Sequence, residues 1–195
     1  SSAVTGNEIF IARDFEASYP LTVKEGTKIL INMSGYNITT GNLITNNGEL
    51  KIYDTSEEVG TITSARTIEN NGVLEIEKVN VTETTNNNTI NNNANGTLKI
   101  TDAVITAKSG YAIYNSGTLN TIGEYELKAG AYAVRNVGTL NSINSGKIYG
   151  LVSNQDVIVE DGATLIGNNN EAALNLYGSA KATINGGTLT ASNNN

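Results

Sequence analysis

Residues 44–52 read Ile-Thr-Asn-Asn-Gly-Glu-Leu-Lys-Ile, and residues 68–76 repeat the pattern as Ile-Glu-Asn-Asn-Gly-Val-Leu-Glu-Ile. The shared motif is Ile-x-Asn-x-Gly-x-Leu-x-Ile, and less exact copies begin at Ile90, Ile113, Val134, Val152 and Leu176. Its leucine position falls at residues 50, 74, 98, 119, 140, 158 and 182, at intervals of 18 to 24 residues. A motif that returns at this interval indicates a repeat protein whose copies stack on one another.

A second apolar position follows the motif, five residues after its last isoleucine position. It is occupied by Val81, Ile105, Leu127, Ile148 and Leu189. Each copy thus contains three short apolar segments separated by Gly, Asn, Asp or Ser, and each segment is too short and too β-branched for a helix. The sequence therefore predicts an all-β fold, a parallel β-solenoid with three strands per coil and about eight coils of 18–24 residues.

The composition agrees with a narrow solenoid core. Only 6% of the 195 residues are aromatic, and the chain has no Trp and no Cys. A globular core built on large rings is therefore excluded, whereas stacked Ile, Val, Leu and Ala can fill a solenoid. The single proline, Pro20, suits strands that need their N–H groups for neighbours on both sides.

The charge pattern limits the classes of partner. The net charge is −7 and there is no His, so the chain lacks the basic stripe that nucleic-acid binding requires. We expect no cofactor and no metal site of the His or Cys type. No run of about eighteen apolar residues occurs, which predicts that the chain does not span a membrane.

The first residues differ from the repeats. Residues 1–27 contain shorter apolar segments and the bulky side chains Phe10, Phe15 and Tyr19, so we expect them to form an N-terminal capping coil. Residues 28–195 are expected to form the solenoid repeats, in a single domain with the cap. The sequence stops shortly after a complete predicted strand, and we expect the natural protein to continue.

Three stretches resemble a known class of proteins. Residues 28–39, Lys-Ile-Leu-Ile-Asn-Met-Ser-Gly-Tyr-Asn-Ile-Thr, look like the opening coil of the right-handed parallel β-helices of the pectin-lyase-like kind, and residues 46–54 and 60–62 look like the repeat that follows it. The resemblance covers roughly residues 28–190 and is closest to the repeats of secreted and cell-surface bacterial proteins. It implies a right-handed solenoid outside the cell, but this fold carries lyases, hydrolases, adhesins and inert stalks alike.

A column of asparagines follows from the motif. Its members are Asn46, Asn70, Asn92, Asn115, Asn136 and Asn154. An amide side chain both donates and accepts, so asparagines stacked at one turn can form a hydrogen-bonded ladder along the solenoid. A polar binding groove is the alternative, but strand alternation puts each Asn on the same face as the apolar residue two positions earlier, which favours an internal ladder.

The residues between the Leu and Ile positions form a second column, which contains Lys51, Glu75 and Lys99, followed by Asn120 and Asn141. Strand alternation turns these side chains outward and sets both lysines beside Glu75. Exposed pairs of this kind contribute only about 0.2–1 kcal/mol each. We therefore expect them to assist the register of the strands more than the stability of the fold.

Acidic residues gather only at Asp54, Glu57 and Glu58, in an insertion after the motif. These carboxylates could hold Ca²⁺, which prefers oxygen ligands, but their spacing is unlike that of a calcium loop, and a solvated turn is the preferred interpretation. The five aspartates fall at different places in their coils and the three arginines are scattered, whereas a glycosidase needs carboxylates that face one cleft. We therefore expect a non-catalytic protein.

Five tyrosines form the candidate ligand-binding surface, namely Tyr111, Tyr114, Tyr125, Tyr132 and Tyr149. Tyr111 and Tyr132 hold equivalent positions, two residues before the motif begins. Outward tyrosine rings can stack on sugar rings while Asn and Asp side chains bind hydroxyl groups. The simpler interpretation is that these rings only cover turns.

These observations favour an extracellular bacterial module, secreted or attached to the cell surface, that acts in adhesion or ligand presentation. Its partner would be a glycan or a protein of a host or microbial surface. A polysaccharide lyase or glycoside hydrolase is the first alternative. The second is a structural rod that associates end to end into a fibre, because the exposed edges of end coils are templates for strand pairing.

Overall fold

The computed structural model describes residues 7–191, which fold as a β-solenoid. These residues form 26 short strands along eight coils and into a ninth, and none of them forms a helix that could cross a bilayer. The predicted all-β fold with parallel strands in three sheets is confirmed. Residues 1–6 of the predicted cap and residues 192–195 of the predicted solenoid lie outside the described part.

The strands are numbered in chain order. The first three coils contain β1 (Asn7–Phe10), β2 (Phe15–Ala17), β3 (Leu21–Val23), β4 (Lys28–Asn32), β5 (Ile38–Thr40), β6 (Ile44–Asn46), β7 (Glu49–Tyr53), β8 (Thr61–Ser64) and β9 (Ile68–Asn70). The next three contain β10 (Val73–Glu77), β11 (Asn80–Glu83), β12 (Ile90–Asn92), β13 (Thr97–Thr101), β14 (Val104–Ala107), β15 (Ile113–Asn115), β16 (Thr118–Ile122), β17 (Glu126–Lys128) and β18 (Val134–Asn136). The last coils contain β19 (Thr139–Leu140), β20 (Lys147–Tyr149), β21 (Leu151–Ser153), β22 (Val157–Val159), β23 (Thr164–Ile166), β24 (Leu174–Leu176), β25 (Ala182–Ile184) and β26 (Thr188–Thr190).

Like strands of successive coils pair in parallel. Sheet A contains β1, β4, β7, β10, β13, β16 and β19, and sheet B contains β2, β5, β8, β11, β14, β17, β20, β23 and β26. Sheet C contains β3, β6, β9, β12, β15, β18, β21 and β24, and a short sheet D joins β22 to β25. Successive coils therefore repeat along the axis at the ~4.8 Å spacing of neighbouring strands.

The strand register confirms both predicted apolar rows. The leucine positions of the first five copies pair in succession, at Leu50, Leu74, Leu98, Leu119 and Leu140. The second row pairs at Val81, Ile105, Leu127, Ile148 and, two coils further, Leu189. Except for Leu189, which is exposed, the residues of both rows belong to one continuous core, and each fully buried Leu or Ile side chain contributes roughly 1.5–3 kcal/mol.

Polar side chains at the ends of strands close the corners between the sheets. At seven described corners such a side chain accepts a hydrogen bond from the backbone N–H two residues later; the acceptors are Asn32, Thr40, Asn46, Asp54, Ser64, Glu83 and Ser153. These bonds satisfy N–H groups at the points where the backbone leaves a sheet. Short polar residues therefore recur at the corners.

The motif glycine lies where successive coils approach most closely. A Cβ atom at Gly72 would lie 2.1 Å from the carbonyl oxygen of Gly48, and one at Gly117 would lie 2.2 Å from that of Gly96. Neither distance leaves room for a side chain. The close stacking of this corner therefore requires Gly.

The register predicted for the copy at Val152 is wrong by one residue. Leu151, rather than Val152, pairs with Val134. The cause is a shortened corner between sheets B and C, where Gly150 alone connects β20 to β21 with a φ of +80°. The preceding coil uses residues 129–133 for the same corner.

The prediction for the next strand, β22, is also wrong by one residue. Val157 and Val159 are buried, whereas Ile158, the predicted leucine position, is 41% exposed. The strand β22 pairs with β25 in sheet D, and a single bridge from Ile143 to Val159 links it to the preceding coil. Sheet A therefore ends at β19.

The first coil follows the pattern of the others. Its strands β1, β2 and β3 pair with β4, β5 and β6 of the second coil. Its large side chains are nevertheless exposed, with Phe10 at 62% and Tyr19 at 84%. The described part of the predicted capping coil is thus a solenoid coil in register with its neighbour.

Candidate functional site

The predicted asparagine column forms an internal ladder. Its members are Asn46, Asn70, Asn92, Asn115 and Asn136, all with no exposed surface. The Nδ2 atom of each of the first four members donates to Oδ1 of the asparagine in the next coil at 2.7–2.8 Å. It also donates, at 2.8–3.1 Å, to the first backbone carbonyl of the sheet A strand that follows that asparagine. The amides bind one another inside the solenoid, so this column is a structural element.

The predicted sixth member, Asn154, lies outside the ladder. Ser153 pairs with Asn136 and accepts a hydrogen bond from its Nδ2 at 3.0 Å. Asn154 is exposed and accepts a hydrogen bond from Nη1 of Arg135 at 2.7 Å. The one-residue shift after the short corner at Gly150 accounts for this exchange.

A second asparagine ladder on the surface was not predicted. Nδ2 of Asn71 donates to Oδ1 of Asn47 at 2.9 Å, and Nδ2 of Asn93 donates to Oδ1 of Asn71 at 2.8 Å. Each of these residues directly follows an asparagine of the internal ladder. The Asn-Asn pairs in the motif were the signal that could have revealed it.

Of the weak cation-site candidates Asp54, Glu57 and Glu58, Asp54 is engaged by the backbone. Asp54 is buried and accepts hydrogen bonds from the backbone N–H groups of Gly60 at 2.7 Å and Ser56 at 2.8 Å. Burial opposes ionisation, but the donated hydrogen bonds outweigh it and lower the pKa of Asp54. Glu57 and Glu58 are exposed, and residues 7–191 contain no group of three or more acidic, His or Cys side chains that could hold a metal ion.

The other four aspartates also serve the backbone. Each accepts a hydrogen bond from a backbone N–H at 2.7–3.0 Å; they are Asp14, Asp102, Asp156 and Asp161. They occupy corners spread along the solenoid. The aspartates therefore do not supply the facing pair of carboxylates that a glycosidase mechanism uses.

The outward column of sheet A forms the predicted ion pairs. Glu75 lies in register between Lys51 and Lys99, with N–O distances of 3.6 and 2.8 Å. Burial opposes ionisation of Glu75, but the hydrogen bond from Lys99 and the charge of Lys51 outweigh it and lower the pKa of Glu75. Further along the column, Asn141 donates a hydrogen bond to Asn120.

Tyr125 is a core residue, and its prediction as a ligand-binding residue is wrong. Its side chain is 2% exposed, and a Cβ atom at Gly146 would lie 2.6 Å from its ring. Burial raises the pKa of Tyr125 to about 12, against a smaller opposing effect of Thr121. Thr121 holds the position that Ile100 holds in the preceding coil, so the Tyr125 ring fills space that a smaller side chain leaves.

Tyr149 belongs to sheet B and is already engaged there. Its hydroxyl donates a hydrogen bond to Glu126 at 3.0 Å, and Nζ of Lys128 lies 5.7 Å from its ring centroid. Burial and the neighbouring Glu126 carboxylate raise the pKa of Tyr149. The structure thus places Tyr149 on a different sheet from the remaining predicted tyrosines.

The other three predicted tyrosines line sheet C and its corner with sheet B. The ring centroids of Tyr111 and Tyr114 lie 6.2 Å apart. Arg135 is the register partner of Tyr114, and its guanidinium lies 5.5 Å from the ring centroid of Tyr177. We name this group the tyrosine patch, which consists of Tyr111, Tyr114, Tyr132, Arg135, Asn175 and Tyr177.

Tyr132 and Asn175 close the patch at the corner. Nδ2 of Asn175 donates to the Tyr132 hydroxyl at 3.4 Å, and the adjacent Glu171 carboxylate raises the pKa of Tyr132. The loop after β23 reaches back across the short coil, where Nδ2 of Asn168 donates to the carbonyl of Ala129 at 2.6 Å. This hydrogen bond fixes the corner on which Tyr132 and Asn175 meet.

Val152 shows that the side chains of the patch cover the sheet beneath them. It lies in register between Arg135 and Asn175 and is only 5% exposed although it is the outward residue of β21. Tyr114 and Arg135 are themselves half-buried. The patch is therefore a packed surface that offers aromatic faces, an amide, phenol hydroxyls and one guanidinium.

Three residues of the patch were not predicted as site residues, namely Arg135, Asn175 and Tyr177. The signal for Arg135 was available, because the residue between the Ile and Asn positions of the motif is Asn91, Tyr114 and Arg135 in successive copies. Asn175 and Tyr177 could not be aligned in this way, since the short coil shifts the register before them.

Comparison with known proteins identifies no relative. No protein-family model matches the chain, and no curated protein and no solved structure matches it. The parallel β-solenoid is therefore established by its strand pairing, and the resemblance to pectin-lyase-like β-helices stays a prediction.

Proposed function

We propose that this chain is a non-catalytic binding module of an extracellular bacterial surface protein, and that it adheres to a glycan through the tyrosine patch. The observation that carries the proposal is the convergence of four tyrosines, one arginine and one asparagine on one outward surface. These residues come from three coils. A polar surface rich in aromatic rings is suited to a ligand that is itself part apolar and part hydroxylated.

The chemistry of the patch matches that of a sugar. The C–H face of a sugar ring can stack on Tyr114 or Tyr177, and the amide of Asn175 can exchange hydrogen bonds with hydroxyl groups. Outward positions of sheet C recur at the ~4.8 Å strand spacing along the solenoid axis. A chain of linked sugars lying along this axis would meet a new side chain at each coil.

The scaffold supports such a site. Tyr114 and Arg135 lie in the middle of β15 and β18, and the next residues of these strands are Asn115 and Asn136 of the internal ladder. Side chains carried by strands that are fixed on their inner face keep a defined spacing, which reduces the ordering cost of binding. The alternative of a polysaccharide-degrading enzyme gains no support from the aspartates, each of which binds the backbone at a corner.

A glycan array of the purified chain tests the proposal. We expect selective binding to a subset of the array, and we expect Tyr114→Ala to weaken that binding about tenfold or more through loss of the stacking surface. Tyr19→Ala is the matched control, because Tyr19 is 84% exposed in the first coil and distant in sequence from the patch. It should bind like the unmodified chain.

Two results would contradict the proposal. A blank array would favour the spacer or fibre-forming rod, whose signature is assembly that depends on concentration. Equal loss of binding in Tyr114→Ala and Tyr19→Ala would show that the tyrosine patch is not where the glycan binds. Circular dichroism of both variants should first show that the β-solenoid is intact.

A further inference from the structure

We infer that the glycan bound at the tyrosine patch is acidic, and that Arg135 binds the carboxylate of one of its sugars. This inference rests on the proposed function and names the class of ligand. The observation that supports it is that two uncharged side chains, Asn154 and Tyr177, hold the Arg135 guanidinium in place on the surface of a chain whose net charge is −7.

Arg135 is positioned from two sides. Its Nη1 donates to Oδ1 of Asn154 at 2.7 Å, and its guanidinium lies 5.5 Å from the Tyr177 ring centroid. Both partners are uncharged, so they orient the guanidinium without neutralising it. A guanidinium has five N–H donors, and a carboxylate can accept two of them side by side.

Arg135 has no carboxylate partner among residues 7–191. In each ion pair within these residues the cation is a lysine, and the lysines are Lys28, Lys51, Lys99 and Lys128. The other charged outward residue in the strands of sheet C is Glu69, three strands away in β9, or roughly 14 Å. Glu69 already accepts hydrogen bonds from the amides of Asn91 at 2.8 Å and Asn93 at 3.1 Å.

The surroundings of Arg135 favour a sugar acid over a bare anion. Tyr114 is its register partner, and the hydroxyl and amide of Tyr132 and Asn175 lie at the corner of the same patch. A carboxylate on Arg135 would place the attached ring over these groups. Glu171, beside Tyr132, is a further acceptor for hydroxyl groups of the ligand.

The net charge of the chain makes the role of Arg135 decisive. At −7 the whole molecule repels an anionic polymer, so attraction must come from a local cation. Removing that cation should therefore abolish the preference for acidic ligands rather than merely weaken it. The preference should also fall as salt is added, because salt screens interactions between charges at the surface.

An array of paired sugars tests the inference. It carries oligosaccharides that contain uronic or sialic acids beside their carboxyl-reduced counterparts, sulfated neutral sugars and acidic peptides. We expect the unmodified chain to bind acidic sugars at least tenfold more tightly than the reduced ones, the loss expected for one charge-assisted pair of hydrogen bonds. Arg135→Gln should lose this difference, and Arg135→Lys should keep part of it.

The control is Arg13→Gln, which makes the same change of charge at an exposed position in the first coil. It should keep the preference for acidic sugars. Equal binding of acidic and reduced sugars, or an unchanged preference in Arg135→Gln, would overturn the inference while the proposed function stands. Preference for sulfated sugars or for peptides would overturn it as well, and binding to no sugar at all would overturn the proposed function.

Discussion

Coils two to five and coils six to nine are built from the same motif but use it differently. In coils two to five each internal asparagine binds the next one along the ladder. In coils three to five the leucine positions also pair in succession, and Glu75 forms ion pairs with Lys51 and Lys99 on either side. In coils six to nine the internal ladder ends at Ser153, sheet A ends at β19, and the corner between sheets B and C shrinks to Gly150.

The difference shows where this solenoid leaves outward side chains without equivalent partners. Where the repeat is strict, the internal asparagines and the outward charges bind side chains one coil away. Where the repeat changes length, equivalent partners are lost and residues from distant coils meet, as Arg135 does with Tyr177 and Asn175 with Tyr132. The candidate site lies at this change of length.

The largest expected effect is on the core of the regular coils. Leu98 has no exposed surface and lies between Leu74 and Leu119, so Leu98→Ala should lower the free energy of unfolding by about 2–5 kcal/mol. Ile184 in β25 is 44% exposed, and Ile184→Ala should cost well under half as much. Urea denaturation of the two variants measures the difference, and equal losses would show that the two regions are equally packed.

The sequence was sufficient to predict the regular coils because strand alternation and a fixed interval determine which residues face inward. It predicted Asn115 correctly in the ladder, but it misplaced Asn154 because a single missing corner residue shifts everything that follows. It also placed Tyr125 outside, because the ring of Tyr125 fills space left by Thr121, and a polar Thr at the inward isoleucine position does not reveal which side chain compensates for it. The tyrosine patch depends on coil lengths, and the spacing in the sequence does not reveal it.

Tyr125 gives the next largest effect, and it appears only at alkaline pH. Burial raises its pKa from 10.0 to about 12, so its neutral form stabilises the folded chain below pH 10 and that contribution is lost as the pH rises towards 12. A pKa raised from 10 to about 12 corresponds to a loss of about 3 kcal/mol in the free energy of unfolding once the phenol is ionised. We therefore expect Tyr125→Phe to unfold at a higher alkaline pH than the unmodified chain, as followed by circular dichroism.

Tyr19→Phe is the control for this experiment, because Tyr19 is 84% exposed and its phenol does not have to ionise inside the core. The hydroxyl of Tyr125 has no hydrogen-bond partner of normal geometry among the described residues, so Tyr125→Phe should leave stability near pH 7 almost unchanged. An alkaline transition that is identical in all three proteins would show that Tyr125 is not buried in solution.

The smallest of the three effects compares an inner member of the asparagine ladder, Asn115, with Asn154, the predicted last member. Asn115 accepts a hydrogen bond from Asn92 and donates to Asn136, all inside the core, so Asn115→Leu should cost about 1–3 kcal/mol by leaving buried amides without partners. Asn154 is exposed, and the described hydrogen bond of its side chain is the one that it accepts from Arg135, so Asn154→Leu should change stability by about 0.5 kcal/mol or less. Thermal unfolding of both variants separates these values. A large loss in Asn154→Leu would place Asn154 rather than Ser153 at the end of the ladder, whereas no loss in Asn115→Leu would mean that the ladder sets the register of the coils without stabilising them.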